Sequence, residues 1–242
     1  MILRAHLPFY EEILKLPGFL QDPILSFGVQ GIDRNVPAPA GSNPLVPRLR
    51  RFLKAEGKVR RFTNAVKGKL RTSPPVPPGF QFNSLTELLR ARGHSVTELD
   101  LFDDRAELRY DMNLPVPESE HRKYATFLDI GCLEHLFDTA QCLENCLRMV
   151  RLGGHYLLHT PINGYFGHGL HVFNPQGLID CVDGNGFKVV YLKYSTYEGK
   201  PIADPSKARN VLIWMVARKE RELDTFLCPQ QKMWSSYYPP TT

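Results

Sequence analysis

Histidine residues are concentrated in one part of this 242-residue chain, where four of them lie between residues 155 and 171. An imidazole titrates near neutral pH, so a histidine can take up a proton or bind a substrate under physiological conditions. His168 is flanked by glycines in "YFGHGLHVF", and glycine lets the backbone fold close to its surroundings. We expect His168 to act as a general base or a substrate ligand; the alternative is a structural hydrogen bond that holds its loop.

His135 is the second catalytic candidate, and it follows Glu134 in the segment "LDIGCLEHLFD". Its position at the start of a predicted helix favours a role in lining a pocket or supporting the structure. His159 alternates with apolar neighbours in "HYLLHTP", a pattern that predicts a core position on a strand. His155 and His171 are weaker candidates.

The cysteines argue against a disulfide framework, because their number is odd and the sequence contains no Cys-x-x-Cys pair. Cys132, His135, Cys142 and Cys146 have donor atoms that metals bind, but their spacing matches no zinc pattern. We therefore expect buried thiols and no metal site.

The positive charge of the chain is concentrated in residues 48–71, which hold ten lysines or arginines and one glutamate, whereas the whole chain has a net charge of +5. Such a segment is either a solvated basic helix or a surface for an anionic partner. No apolar run has the roughly 20 residues that a transmembrane helix needs. The N-terminus lacks the apolar core of a signal peptide, so we expect a cytoplasmic protein.

Strands and helices alternate along most of the chain. The predicted strands are "DPILSFGVQGI", "HSVTELDLF", "AELRYDMN" ending at Asp111, "KYATFLDIG", "HYLLHTP" stopped by Pro161, "FKVVYLKYS" and "ARNVLIWMVARK". The predicted helices are "FNSLTELLRARG" capped by Ser84, "TAQCLENCLRMVRLGG" closed by Gly153 and Gly154, and "NPQGLIDCVDGNG" starting near Asn174. This order predicts an α/β fold with a mostly parallel sheet and helices on both faces. The last two strands lack an intervening helix, so one of them is expected to be an antiparallel edge strand.

Proline-rich stretches interrupt this pattern at about residues 33–80, which we interpret as an insertion after the first strand. Residues 1–220 then form a single domain, and residues 221–242 form an aromatic, proline-rich tail. The tail has three interpretations: it crosses a neighbouring subunit in a homo-oligomer, covers the substrate pocket, or is disordered.

Residues 22–32 and 82–218 resemble the S-adenosylmethionine-dependent methyltransferases of the Rossmann-like class. The densest match is "FLDIGCLEHLFDTAQCLENCLRMVRLGGHYLLHTP", and "GHGLHVFNPQGLIDCVDGNGFKVV" is similar to the branch found near polysaccharide and natural-product genes. The resemblance implies a seven-stranded Rossmann-like sheet, S-adenosylmethionine as cofactor, and a small-molecule or saccharide acceptor. Methyl transfer needs an aligned nucleophile and often a base, the role for which His168 and His135 are candidates.

The resemblance also places a cofactor site at the ends of the first four strands. Its residues are Gly28, Gln30, Gly31, Asp100, Leu101, Asp111, Met112 and Asp129. The glycine motif is degenerate, because Ser26 stands where family members usually have an acid and Gln30 replaces a glycine.

Three carboxylates have implied roles at this site. Asp100, beside Leu101, would accept the ribose hydroxyls. Asp111 would accept from the adenine amino group while Met112 covers the ring, and Asp129 would lie under the sulfonium. The alternative for Asp100 and Asp111 is a turn-forming role.

Two other functions stay open. A methyltransferase-like protein without methyl transfer, serving binding, assembly or another reaction, would explain the degenerate glycine motif. A nucleic-acid methyltransferase would use the basic segment 48–71 to bind phosphates. A nicotinamide dehydrogenase is disfavoured, because Gly-x-Gly-x-x-Gly is absent after the first strand.

Overall fold

The structure is a computed structural model that describes residues 2–33, 84–222 and 225–229. The basic segment 48–71, nearly all of the predicted insertion and residues 230–242 of the tail lie outside the described residues. Residues 225–229 contact the domain, since the Leu227 N–H donates to Asn185 Oδ1 at 2.9 Å and the Asn185 amide donates to the Leu227 carbonyl at 2.8 Å.

The described chain contains nine strands, seven of which form one sheet in the order β4-β2-β5-β6-β9-β7-β8. The strands are β1 (Ile2–Leu3), β2 (Ile24–Phe27), β3 (Ile32–Asp33), β4 (Val96–Leu99), β5 (Tyr124–Ile130), β6 (Val150–Asn163), β7 (Phe187–Thr196), β8 (Pro201–Ile202) and β9 (Val211–Lys219). Strands β4, β2, β5 and β6 are parallel, while β1 and β3 form a separate parallel pair. The strand order reverses between β2 and β5, as in doubly wound Rossmann-like folds.

The mostly parallel seven-stranded sheet and its antiparallel edge strand, β8, are confirmed. Of the two final long strands, β9 is the antiparallel one, and it lies inside the sheet between β6 and β7. Eight of its nine residues are buried, whereas β7 alternates between buried and exposed positions. A strand that is apolar on both faces gains most from an internal position, which explains the placement of β9.

Four helices cover the sheet, and they lie on both of its faces, as predicted. They are α1 (Leu7–Ile13), α2 (Leu85–Ala91), α3 (Thr139–Met149) and α4 (Pro175–Gly184). The apolar side chains of α1 and α2 pack on one face, and those of α3 and α4 pack on the other. The predicted Ser84 cap is confirmed, since Ser84 Oγ accepts from the Glu87 N–H at 3.0 Å, and the predicted start of a helix near Asn174 is confirmed with Asn174 as the cap of α4. None of the described helices has the length and apolar character needed to cross a membrane.

Helix α1 was not predicted from the sequence. Proline is tolerated in the first turn of a helix, where its missing N–H would have no intrahelical acceptor. Pro8 occupies that position, and Leu7, Phe9, Tyr10 and Ile13 are buried against the sheet.

The predicted third strand, "AELRYDMN" ending at Asp111, is wrong as a strand. The segment forms one isolated bridge, in which Leu108 pairs with Leu99 at the edge of β4. The chain then turns at Asp111, whose side chain accepts hydrogen bonds from the backbone and side chain of Asn113. This local turn ends the pairing after one residue.

Two predicted boundaries around β6 are also wrong. Helix α3 ends at Met149, before Gly153 and Gly154, because the chain enters β6 directly at Val150. A Cβ at Gly154 would lie 2.8 Å from the Ala125 carbonyl oxygen, so this glycine permits close approach of β6 to β5. Pro161 does not stop the strand, because β6 continues to Asn163 and stays paired with β9, with Pro161 opposite Leu212.

Candidate functional site

The carboxyl ends of parallel strands meet at one edge of the sheet, where Phe27 of β2 pairs with Leu99 of β4 and with Asp129 of β5. Ligands of doubly wound folds bind at this edge, next to the point where the strand order reverses. We call residues 28–31 and 100–103 the glycine-turn side, and residues 129–135 and 159–171 the histidine side.

On the glycine-turn side, Gly28 has a φ of +77°, a conformation that favours glycine. The Gln30 amide and the Cys132 thiol both donate to the Phe27 carbonyl, at 3.1 and 3.0 Å. A Cβ at Gly28 would lie 2.8 Å from both Gln30 Nε2 and Cys132 Sγ, whereas one at Gly31 would meet nothing within 4 Å. The chain's own side chains therefore fill the space beside Gly28 and leave Gly31 open.

Asp100 joins the two turns of the glycine-turn side. Its Oδ2 accepts from the Val29 N–H at 3.3 Å, and its Oδ1 accepts from the N–H groups of Phe102 and Asp103 at 2.9 and 3.1 Å. Leu101 next to it is 39% exposed. Asp100 is half-buried, so the carboxylate combines a turn-forming role with access from the edge of the sheet.

The structure does not bring Asp111 and Met112 to the same position as Asp100. Asp111 forms a turn with Asn113, and the hydrogen bonds from Asn113 lower the pKa of the Asp111 carboxyl. Met112 is 1% exposed and packs in the core on the α3 face of the sheet. The adenine contacts predicted for Asp111 and Met112 stay a prediction.

Asp129 is fully buried beneath the histidine side. It accepts hydrogen bonds from the Tyr156 hydroxyl at 2.9 Å and from the backbone N–H groups of Cys132 and Leu133 at 3.2 and 3.3 Å. Burial, followed by the charge of Glu134, raises the pKa of Asp129 to about 7. The carboxyl group thus supports the turn that carries Glu134 and His135.

The structure brings the two catalytic candidates, His135 and His168, together above Glu134. Their ring centroids are 5.2 Å apart, and both side chains are exposed. The Glu134 carboxylate is 2% exposed; its Oε2 accepts from the Thr160 hydroxyl at 2.9 Å, and its Oε1 lies 3.9 Å from His168 Nε2. The sequence showed Glu134 next to His135, but its burial and its contact with His168 depend on the fold.

Backbone contacts hold the loop that carries His168 against Glu134. The N–H groups of Leu170 and His171 donate to the Glu134 carbonyl at 2.7 and 3.1 Å. Gly169 has a φ of +69°, and a Cβ there would lie 2.9 Å from the same carbonyl oxygen. The glycine after His168 therefore permits the close approach that places the imidazole.

A buried pair that sequence reasoning missed lies on the α1 face of the same edge. The Tyr10 hydroxyl lies 2.9 Å from His159 Nδ1, and the His159 ring stacks on Trp214 with centroids 3.8 Å apart. Burial raises the pKa of Tyr10 and lowers that of His159, so the phenol donates to a neutral imidazole. His159 Nε2 has no partner among the described residues. The core position predicted for His159 is confirmed.

No family model and no curated protein matches this chain. Among solved structures, S-adenosylmethionine-dependent methyltransferases from Methanosarcina mazei and Archaeoglobus fulgidus are similar, each with a TM-score of 0.47, 11% identity and 89% of this chain covered. The match covers 98% and 92% of those chains.

A third similar structure is the Burkholderia thailandensis 1,6-didemethyltoxoflavin-N1-methyltransferase with bound 1,6-didemethyltoxoflavin and S-adenosylhomocysteine. Its TM-score is 0.44 at 16% identity, with 90% of this chain and 79% of that chain covered. Identities this low transfer no residue roles, so the assignment of the site depends on the geometry described above.

Proposed function

We propose that this chain is an S-adenosylmethionine-dependent methyltransferase that acts on a small-molecule or saccharide acceptor. The observation that carries the proposal is the arrangement of the carboxyl edge. A turn with a left-handed glycine, tied to Asp100, lies next to two exposed imidazoles, and Cys132 contacts Phe27 and Gln30 across the boundary between the two sides.

The glycine-turn side fits a nucleoside cofactor. Asp100 Oδ2 accepts one hydrogen bond from the described residues, at 3.3 Å, which leaves a lone pair for a ribose hydroxyl. Gly31, which has open space beside it, provides backbone that a ligand can approach closely. Bound S-adenosylmethionine would supply a methyl group on a sulfonium.

The histidine side provides groups that bind the acceptor. His135 and His168 present exposed imidazoles at the ends of β5 and β6, where an acceptor hydroxyl can hydrogen-bond to either ring. The buried Glu134 carboxylate lies 3.9 Å from His168 Nε2, so it borders the same space. The exposed Phe166 lies in the same loop beside the half-buried Tyr165, and its aromatic ring suits a cyclic acceptor.

Calorimetric titration with S-adenosylhomocysteine tests the proposal. We expect wild-type binding at about micromolar Kd, and a weakening of about tenfold or more in Asp100→Asn, which removes one carboxylate acceptor. Asp104→Asn is the matched control, because the Asp104 side chain is 93% exposed and pairs only with Arg109 among the described residues. Absence of binding at millimolar ligand would overturn the proposal.

A specific observation favours a second candidate, a methyltransferase-like protein that does not transfer methyl groups. Gln30 is 4% exposed and, with Cys132, fills the space beside Gly28 that a cofactor would approach. In that case S-adenosylhomocysteine would bind neither the wild type nor any Gln30 variant, and the histidine side would serve another reaction or a binding partner.

We propose four further properties from the sequence. They comprise a cytoplasmic location, a single domain over residues 1–220, a homo-oligomer, and an anionic partner for residues 48–71. A nucleic-acid role for that basic segment predicts binding that weakens steeply as salt rises, which an electrophoretic shift assay at two salt concentrations would measure.

A further inference from the structure

The histidine side brings three metal-binding groups together. One carboxylate oxygen of Glu134 and one ring nitrogen each of His135 and His168 lie within 4.8 Å of one another. The sequence did not suggest this set, because His168 is separated from the other two residues by more than thirty positions. Two imidazoles and one carboxylate form a ligand set used by catalytic zinc sites and by mononuclear iron sites.

The charge beneath the imidazoles is a second, independent observation. Glu134 is 2% exposed, its carboxylate accepts one hydrogen bond, from Thr160, and among the described residues no lysine or arginine forms an ion pair with it. Buried carboxylates are costly unless a cation or hydrogen bonds compensate them. A cation bound between Glu134 and the imidazoles would provide that compensation.

The surroundings of Glu134 orient it as a ligand. Thr160 donates to Oε2 at 2.9 Å, which leaves Oε1 directed toward His168. The Glu134 backbone carbonyl holds the His168 loop through Leu170 and His171. In metal sites, hydrogen bonds from neighbouring residues to the ligand residues fix the geometry of the ligands.

We propose that Glu134, His135 and His168 bind one divalent transition-metal ion, of which zinc is the representative, with a coordination position left open toward the acceptor. Ligand distances of roughly 2.0–2.2 Å would require the donor atoms to contract by about 1 Å, a change available to exposed imidazoles. Hard cations such as Mg²⁺ prefer oxygen ligands and fit this set poorly.

The proposed metal gives the histidine side a specific chemistry, and this part rests on the proposed methyltransferase function. An acceptor hydroxyl bound at the open position would form an oxygen–metal bond, and its proton would pass to solvent. An electron pair of the oxygen would then form the O–CH3 bond as the sulfonium S–CH3 bond breaks, and S-adenosylhomocysteine would leave with the electron pair on sulfur. With the metal bound, both imidazoles act as ligands and not as bases.

The test uses the full chain after dialysis against a chelator. Calorimetric titration with ZnCl₂ should show one ion per chain, and CoCl₂ should produce a visible absorption band that reports nitrogen ligands. We expect His135→Ala and His168→Ala to weaken zinc binding by about tenfold or more, as loss of a ligand does. His171→Ala is the control, because His171 is a half-buried histidine of the same loop and lies outside the three-residue set.

Unchanged zinc affinity in both histidine variants, or no zinc binding by the wild type, would overturn the metal proposal. Both variants alter exposed side chains, so thermal melts should match the wild type and exclude misfolding as the cause. S-adenosylhomocysteine binding, measured on the same samples, separates the two proposals. Zinc binding without nucleoside binding retains the metal site and rejects the methyltransferase, and the reverse result does the opposite.

Discussion

The two sides of the carboxyl edge differ in how their polar groups are satisfied. On the glycine-turn side, Asp100 accepts three backbone hydrogen bonds, and the Gln30 amide donates to Phe27. On the histidine side, Asp129 also accepts three hydrogen bonds, but the buried Glu134 carboxylate accepts one, from Thr160, has no lysine or arginine partner among the described residues, and lies beneath two exposed imidazoles.

This difference indicates on which side an external ligand stabilises the molecule most. A group that already has its hydrogen bonds gains little from a ligand, whereas an uncompensated buried charge gains much. We therefore expect substitutions on the histidine side to have larger effects than those on the glycine-turn side.

The largest expected effect concerns Asp129. Its folded-state pKa of about 7 lies above its ordinary value of 3.8, so its contribution to stability is fully present below pH 4 and is lost as pH rises through about 7. Asp129→Asn keeps an acceptor and removes the charge. In urea unfolding with chelator present, the variant should be more stable than wild type at pH 8, by up to about 4 kcal/mol, and should lose this advantage near pH 4.

Asp111→Asn is the control for this pH series. Hydrogen bonds from Asn113 lower the pKa of Asp111, so its contribution is present at neutral pH and is lost in acid. The sign of the pH dependence should therefore be opposite to that of Asp129→Asn. Parallel stability curves for wild type and Asp129→Asn would show that Asp129 carries no unfavourable buried charge.

The next effect concerns the loop that carries His168. Gly169→Ala places a Cβ 2.9 Å from the Glu134 carbonyl oxygen in a left-handed conformation, so we expect a loss of about 2–3 kcal/mol. Gly167→Ala has a similar φ of +79° but meets nothing within 4 Å, so it should cost about 1 kcal/mol. Urea unfolding measures both, and equal losses would show that the loop does not dock on Glu134.

A smaller effect is expected from the buried pair on the α1 face. Tyr10→Phe removes the donor to His159 Nδ1 and should reduce the free energy of unfolding by about 1–2 kcal/mol. Tyr191→Phe removes a hydroxyl that donates to the exposed Glu12 and should cost less than about 0.5 kcal/mol. Thermal melts of the two variants compare them directly, and a harmless Tyr10→Phe would mean that His159 finds another partner.

The smallest effect concerns the filled space beside Gly28. Gln30→Ala should lower the Kd for S-adenosylhomocysteine about threefold to tenfold, because the side chain no longer competes for that space. Gln176→Ala, on α4, is the matched control. Weaker binding in Gln30→Ala would instead indicate that the Gln30 amide contacts the cofactor, as the sequence prediction had it.

Local signals account for the parts of the fold that sequence reasoning predicted correctly. The Ser84 and Asn174 caps accept hydrogen bonds from N–H groups two or three positions away. The strand that ends before Asp100 is a short segment, so it too is marked by its own residues. Helix α1 was missed because proline occurs both in the first turn of helices and at breaks between elements. The sequence alone does not distinguish these two contexts.

The candidate site was only partly predictable, because it is assembled from distant segments. His135 and His168 were identified by residue type, but the Tyr10–His159 pair joins residues 149 positions apart. The burial of Glu134 likewise depends on Thr160 and on a loop that follows the next strand. Burial and partner identity of this kind are set by tertiary packing, which no local pattern reports.

The internal position of β9 has a consequence for how the chain is made. Strands β7 and β8 join the rest of the sheet only through β9 within the described residues, and β9 ends at Lys219. A ribosome must therefore synthesise the chain as far as Lys219 before the sheet can close. Until then, β6 and β7 expose edges that β9 later covers, and such edges favour aggregation. Chains truncated before Val211 should be captured by chaperones during synthesis.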